Sequence, residues 1–225
     1  MLDFGPFYLT FKLALITTMM LFLIGVPLAY WLAFSKIRAK ILIEAVVGLP
    51  LVLPPSVLGF YLLIAFSPAN AFGGFIEKYF DLRLVFSFPG LVIASMIYSL
   101  PFMIQPIQAG FRMLPRNLMD ASYLLGKSKL TTLFKVLLPN IKTSLLTACI
   151  LSFAHTIGEF GVVLMVGGNI PGETRVISVA IYDQVEAMNY GLANLYSGIL
   201  LAFSFLVLAT VYFLNHRMVQ SHYSI

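Results

Sequence analysis

The sequence predicts an all-α membrane protein. It would be a polytopic bundle of about five transmembrane helices, with the N-terminus outside, the C-terminus inside and one cytoplasmic helix-turn-helix loop. Three observations predict it. The 225 residues are 60% hydrophobic and only 10% charged, with a mean hydropathy of +0.95, which leaves too little polar surface for a water-soluble domain. The apolar residues gather into runs of helix length, not the alternating segments of about ten residues found in outer-membrane barrels. The charges fall unevenly between the loops that join those runs.

The runs span about 8–34, 41–66, 85–109, 143–166 and 192–214. Each has about 20 residues or more, enough to cross a hydrocarbon core of ~30 Å at ~1.5 Å per residue. They leave an internal loop at 111–142 and an external loop at 167–191, within one membrane domain over 1–225 that has no room for a separate soluble catalytic or regulatory domain. The first run lacks a basic leader and is instead followed by Lys36, Arg38 and Lys40, so it reads as a retained helix and not a secretory signal. The lone cysteine, Cys149, sits in an apolar run; it excludes an intramolecular disulfide and a thiolate metal site.

Orientation follows from charge. One side collects Lys36, Arg38, Lys40, Arg112, Arg116, Lys127, Lys129, Lys135, Lys142 and Arg217 against Glu44 and Asp120, a net +8. The other collects Lys12, Lys78, Arg83 and Arg175 against seven acids, a net −3. Basic loops stay cytoplasmic. The same asymmetry accounts for the whole net charge of +5, leaving no excess that would call for nucleic acid.

Within the runs, Pro27, Pro50, Pro54, Pro55, Pro101 and Pro106 each remove a backbone donor and favour a kink. Two readings stay open: they shape the bundle, or Pro50, Pro54 and Pro55 act as joints along a path. Ser144, Ala148, Ser152 and Thr156 recur every four residues, a small-residue stripe suited to close helix packing. His155 and Glu159 then share a helix face, but two ligands without a third make a poor metal site and no HExxH pair occurs. Glu159 lies about 16 residues, or ~24 Å, into its run, where a capped or paired carboxylate is tolerable near the outer interface. Ionisable groups within spans mark function, so Glu159, its neighbours Gly158 and Gly161, and Ser152 and Thr156 are path or gate candidates. Gly, Asn and Pro at 167–175 specify an external turn; Asn169, Glu173 and Arg175 on it are docking candidates. The stretch from Thr174 has the pattern of a surface helix.

The one sizeable polar, basic interval is 119–139, between two runs. Pro115 opens a short helix that Gly126 closes, and Ser128 can cap a second one. Pro139 disfavours helix at the residue before it. Ala121-x4-Gly126-Lys127-Ser128 loosely matches a phosphate-binding P-loop, but no strand precedes it and its middle residues are Ser-Tyr-Leu-Leu, so nucleotide binding is not expected.

In this segment Asp120-Ala121-Ser122, three residues, Gly126, nine residues, then Val136-x-Leu138-Pro139 closely resembles the EAA loop of ABC-importer permease subunits, with Asp for Glu and Ser for the second Ala. The chain carries Asn140 to Ser144 where many relatives have a proline. Leu49 to Tyr61, Gly158-Glu159-Phe160-Gly161, Asn169 to Arg175 and Ala180-Ile181-Tyr182 resemble the molybdate branch, which is related to sulfate/thiosulfate and tungstate permeases. The resemblance implies a homodimer in the lipid of a bacterial or archaeal cytoplasmic membrane. It implies a cytoplasmic ATPase dimer that grips the Asp120 loops, and an extracytoplasmic oxyanion-binding protein. It further implies no covalent chemistry, cofactor or metal in this chain. An intramembrane enzyme would need a paired acid, a nucleophile with a base, or a metal triad; an ion-coupled carrier would favour internal repeats and buried ionisable residues. Neither pattern is present.

Overall fold

The computed structural model describes residues 2–220; the extreme C-terminus and the side chain of Arg217 lie outside the described residues. No strand occurs among the described residues. The chain opens with α1 (Gly5–Phe34), which passes Pro27 unbroken. A basic turn leads to α2 (Lys40–Val52), α3 (Pro55–Phe66) and the short α4 (Ala71–Phe80). Next comes α5 (Phe88–Met113), continuous through Pro101 and Pro106. The polar interval forms α6 (Arg116–Leu124), α7 (Lys129–Thr132), a π-helical turn (Leu133–Leu137) and α8 (Leu138–Asn140). The remainder is α9 (Lys142–Gly158), α10 (Gly161–Gly167), α11 (Ile177–Glu186) and α12 (Tyr190–Gln220).

Three helices are single pieces long and apolar enough to cross a membrane: α1, α5 and the Tyr190–Thr210 part of α12. Counting each bent pair as one span gives up to five. Two expectations need correction. The run 41–66 is not one helix: α2 and α3 meet at 115°. Leu53, with ψ 134°, and Pro54, with ψ 137°, are both extended, because each precedes a proline whose ring excludes the helical conformation. The run 143–166 breaks as well, at Glu159 (ψ 130°) and Phe160. No proline forces that break. Poor helix formers flank it at Gly158 and Gly161, and the Ser178 hydroxyl of α11 donates to the freed Glu159 carbonyl at 2.6 Å.

Pro139 also acts differently from its expected role. Leu138 stays helical (φ −59°, ψ −44°), since the π turn widens the coil where the ring would strike the carbonyl four residues back. The chain then bends by 77° into α9. Ile141 leaves helical geometry there, and Asn140 Nδ2 donates to the Val136 carbonyl at 2.7 Å.

The core is the α1–α5–α9 contact. Leu21, Ala29 and Leu32 of α1, Met103, Ile104, Ile107 and Phe111 of α5, and Ala148 of α9 are buried together. Small residues permit that closeness: a Cβ on Gly110 would sit 2.6 Å from Ser144 Oγ. The apolar face of α11, with Ile177, Val179 and Ala180, is buried, and the Thr10 hydroxyl of α1 accepts from Ile177 N at 2.8 Å. The helix expected at the surface is therefore clamped to α1.

At the start of α5, a Cβ on Gly90 would collide with the Leu84 backbone carbonyl, whereas one on Gly198 of α12 meets nothing within 4 Å. Gly90→Ala is expected to cost about 1–3 kcal/mol as overpacking against fixed backbone. Gly198→Ala should be neutral or stabilising by up to about 1 kcal/mol through helix propensity. Thermal unfolding of the detergent-purified chain checks both.

Candidate functional site

The two interruptions meet. A Cβ on Gly161 would lie 2.7 Å from Pro55 Cβ and 3.4 Å from Ser56 N, so α10 starts directly against the start of α3. Further along the same pair, Gly59 faces Met165 and Val162 at similar range. Only glycine lets these backbones approach so closely. Beside the contact is an open cavity of about 560 Å³ lined by Pro55, Ser56, Tyr98, Ala154, His155, Gly158, Glu159, Phe160 and Gly161. Because α3 begins there, its partial positive end borders the cavity.

The wall behind the cavity is polar. His155 Nδ1 pairs with Ser99 Oγ at 2.9 Å, and Ser99 Oγ pairs with Thr156 Oγ1 at 3.1 Å. Thr156 also donates to the Ser152 carbonyl at 2.9 Å. The His155 ring stacks on Phe102, with centroids 4.1 Å apart, and leans on Tyr98. Glu159 is 3% exposed, and neither carboxyl oxygen makes a hydrogen bond. The expected capped or paired carboxylate is thus a buried, unpartnered one. Desolvation of such a group is costly, which sets Glu159 apart from a packing residue.

Of the path candidates, Pro55, Gly158, Glu159 and Gly161 come together at the cavity, and Pro54 forms the break beside it. Pro50 is buried within α2. Ser152 and Thr156 do not line the cavity; both are buried, and Thr156 meets Ser99 of α5. Sequence reading missed Tyr98, Ser99 and Ser178, whose roles arise from tertiary placement. It also missed a stripe on α5: Tyr98, Phe102, Gln105, Ala109 and Arg112 recur at helical spacing on the less buried face, with Gln105, Ala109 and Arg112 exposed. A glutamine within an apolar run and an arginine seven residues on, at the spacing of one helix face, were the available signal.

The 167–175 turn is internally tied. Arg175 Nε donates to Asn169 Oδ1 at 2.5 Å, Asn169 Nδ2 donates to Asp183 Oδ1 at 3.1 Å, and Arg175 and Asp183 form an ion pair at 3.9 Å. Asn169 and Arg175 therefore fasten the turn to α11, while Glu173 stays exposed.

At the other end of α5, the α6–α7 hairpin closes on Gly126, whose φ of +70° favours glycine. Ser128 Oγ caps α7 by accepting from Thr131 N. Ser122 is buried, and its Oγ pairs with Thr132 Oγ1 at 2.8 Å; the serine in place of alanine clasps the two short helices together. Asp120 and Ala121 are exposed, Val136 and Leu138 are half-buried, and Pro139 is exposed. The tip exposes Leu124 (89%), Leu125, Leu130 and Phe134.

Comparison with known proteins bears on this arrangement. Residues 25–224 match the family model described as "Binding-protein-dependent transport system inner membrane component". The chain is 47% identical over 210 residues to the molybdenum transport system permease protein ModB of Azotobacter vinelandii, covering 93% of each chain. It is 34% identical to the putative molybdenum transport system permease protein YvgM of Bacillus subtilis, covering 91% of this chain and 90% of that one. The sulfate transport system permease protein CysT of Escherichia coli is 30% identical, with 86% of this chain and 69% of CysT covered. Among solved structures, a chain of the inward-facing MetNI methionine ABC transporter superposes with a TM-score of 0.71 at 16% identity, over 96% of this chain and 94% of that one, which establishes a shared fold. This chain belongs to the binding-protein-dependent transport system inner membrane component family and is a multi-pass membrane protein.

Proposed function

We propose that this chain is the permease subunit of an ATP-driven importer for molybdate. The observation that carries the reading is the α6–α7 hairpin. Its apolar tip of Leu124, Leu125, Leu130 and Phe134 is exposed while its base is clasped by Ser122 and Thr132. Exposed apolar patches rimmed by polar residues mark protein interaction sites, and this one carries Asp120, Ala121, Gly126, Val136, Leu138 and Pro139 at EAA spacing. On this reading a cytoplasmic ATPase grips the hairpin, and the π turn and bend beyond it pass the motion to α9. Molybdenum permeases at 47% and 34% identity support the substrate.

The path runs along α5. Gln105 and Arg112 are exposed on a membrane-length helix, and polar groups facing lipid are costly. A second copy of the chain covers that stripe, and the two copies enclose it. The cavity at the paired helix breaks is the outer gate, in keeping with the use of discontinuous helices at transport sites. Glu173 and the turn around it offer the external face to an oxyanion-binding protein.

Gly126→Val is expected to abolish ATP-dependent uptake while the protein still inserts and purifies as a dimer, because valine is strained at positive φ and redirects the hairpin tip. Unchanged uptake would sink the coupling role. Gly161→Val forces α10 away from Pro55, so uptake should fall at least ~10-fold while ATP hydrolysis persists, corresponding to a penalty of about 1.4 kcal/mol or more. Labelled molybdate uptake in vesicles holding all partners should be blocked by excess tungstate and resist sulfate; equal competition by sulfate would move the chain to the sulfate branch.

A further inference from the structure

A second cavity, of about 510 Å³, opens near the C-terminal end of α5, on the side of the hairpin. It is lined by Leu32, Glu44, Val47, Gln105, Gln108, Ala109, Arg112 and Met113. Its chemistry is unlike the rest of the bundle. Glu44 Oε1 of α2 accepts from Arg112 Nη2 at 2.5 Å and from Gln108 Nε2 at 2.7 Å, both on α5. Lys40 Nζ is bonded to the carbonyl of Leu32, a residue of the same wall, at 3.4 Å. A tie between α2 and α5 would need only the ion pair. Here the pair borders an open space with two amides, Gln105 and Gln108, and a further cation at its edge.

We propose that this cluster is a transient binding site for the transported oxyanion at the inward end of the path, in which a tetrahedral dianion replaces Glu44 on the Arg112 fork. The inference rests on the transport reading above. The donors suit the ligand: a guanidinium presents a planar pair of N–H groups to oxyanion oxygens, and Gln108 supplies a neutral N–H beside it. The site lies on the same α5 stripe as Tyr98. From residue 98 to residue 112 is ~21 Å at ~1.5 Å per residue, so the two cavities stand at opposite ends of one face.

Glu44 sets the strength. A bare arginine beside amides would hold a dianion and stall release, whereas conduction needs binding weak enough to leave. The carboxylate competes for the same fork, leaves the empty cluster close to neutral, and returns to Arg112 as the anion departs. Glu44 is therefore a release residue, and Arg112 the binding one.

The test is molybdate binding to the purified full chain without nucleotide, measured by titration calorimetry in chloride buffer. Glutamine at position 44 keeps an acceptor for Gln108 and Arg112, so Glu44→Gln preserves the fold while removing the competing charge. It is expected to bind molybdate at least ~10-fold more tightly than the wild type, since charge-assisted bonds to Arg112 no longer compete. Arg112→Gln and the Glu44→Gln/Arg112→Gln double variant should lose that binding, and Arg112→Lys should keep part of it. Binding by Glu44→Gln that matches the wild type or is weaker, or tightened binding that survives in the double variant, overturns the proposal. Uptake by the wild type with its partners reads the transport function separately. Uptake without a Glu44 effect refutes the site alone, and the Glu44 effect without uptake refutes the transport reading alone.

Discussion

The contact of Gly161 with Pro55 is the constraint on which the upper half of this structure depends. A helix interrupted within a bilayer frees backbone groups that lipid cannot satisfy, so interruptions persist only where protein or water meets them. This chain places two interruptions against each other. Leu53 and Pro54 turn one helix by 115°, Glu159 and Phe160 interrupt the other, and the missing side chain of Gly161 lets the two meet. Ser178 of α11 then takes up the Glu159 carbonyl. Because α11 is itself anchored to α1 through Thr10 and to the 167–175 turn through Asp183, the break is set by elements well separated along the chain.

Much of the architecture was legible because membrane helices announce themselves by length and composition. The apolar runs, the proline-rich second run and the hairpin closed by Gly126 all reflect local chemistry. The breaks divide sharply on that criterion. Pro54-Pro55 forces the first, so the sequence contained its cause, though not its angle. The break at Glu159 has no local cause strong enough; glycines permit it and Ser178 holds it. Helix α4 was missed because a ten-residue helix between spans carries too little hydrophobic signal to stand out from a loop.

The site was legible in its types and less so in its groupings. Pro55, Gly158, Glu159 and Gly161 lie in two segments about 100 residues apart, yet they line one cavity. Ser152 and Thr156, chosen from the same apolar run as Glu159, are instead buried in the bundle, where Thr156 meets Ser99 of α5. Helical periodicity identifies which residues share a face, but only the packing decides whether that face meets a neighbour or a void. Pro139 makes the same point for backbone: its usual helix-ending effect is absorbed by a π turn.

The electrostatics of the α5 face suit the anion path proposed for it. Strong fixed cations would trap a dianion, and fixed carboxylates would repel it. The face meets both conditions by pairing or hiding its charges. Arg112 is paired with Glu44, the His155 ring is tied to Ser99, and both carboxyl oxygens of Glu159 are buried. Away from the Arg112 cluster, what remains for a passing ion is the amide of Gln105 and the aromatic surface of Tyr98 and Phe102. A path of that kind, with Arg112 held in check by Glu44, would hold its substrate weakly, so on the proposed reading direction comes from outside it, through the hairpin that α5 leads into.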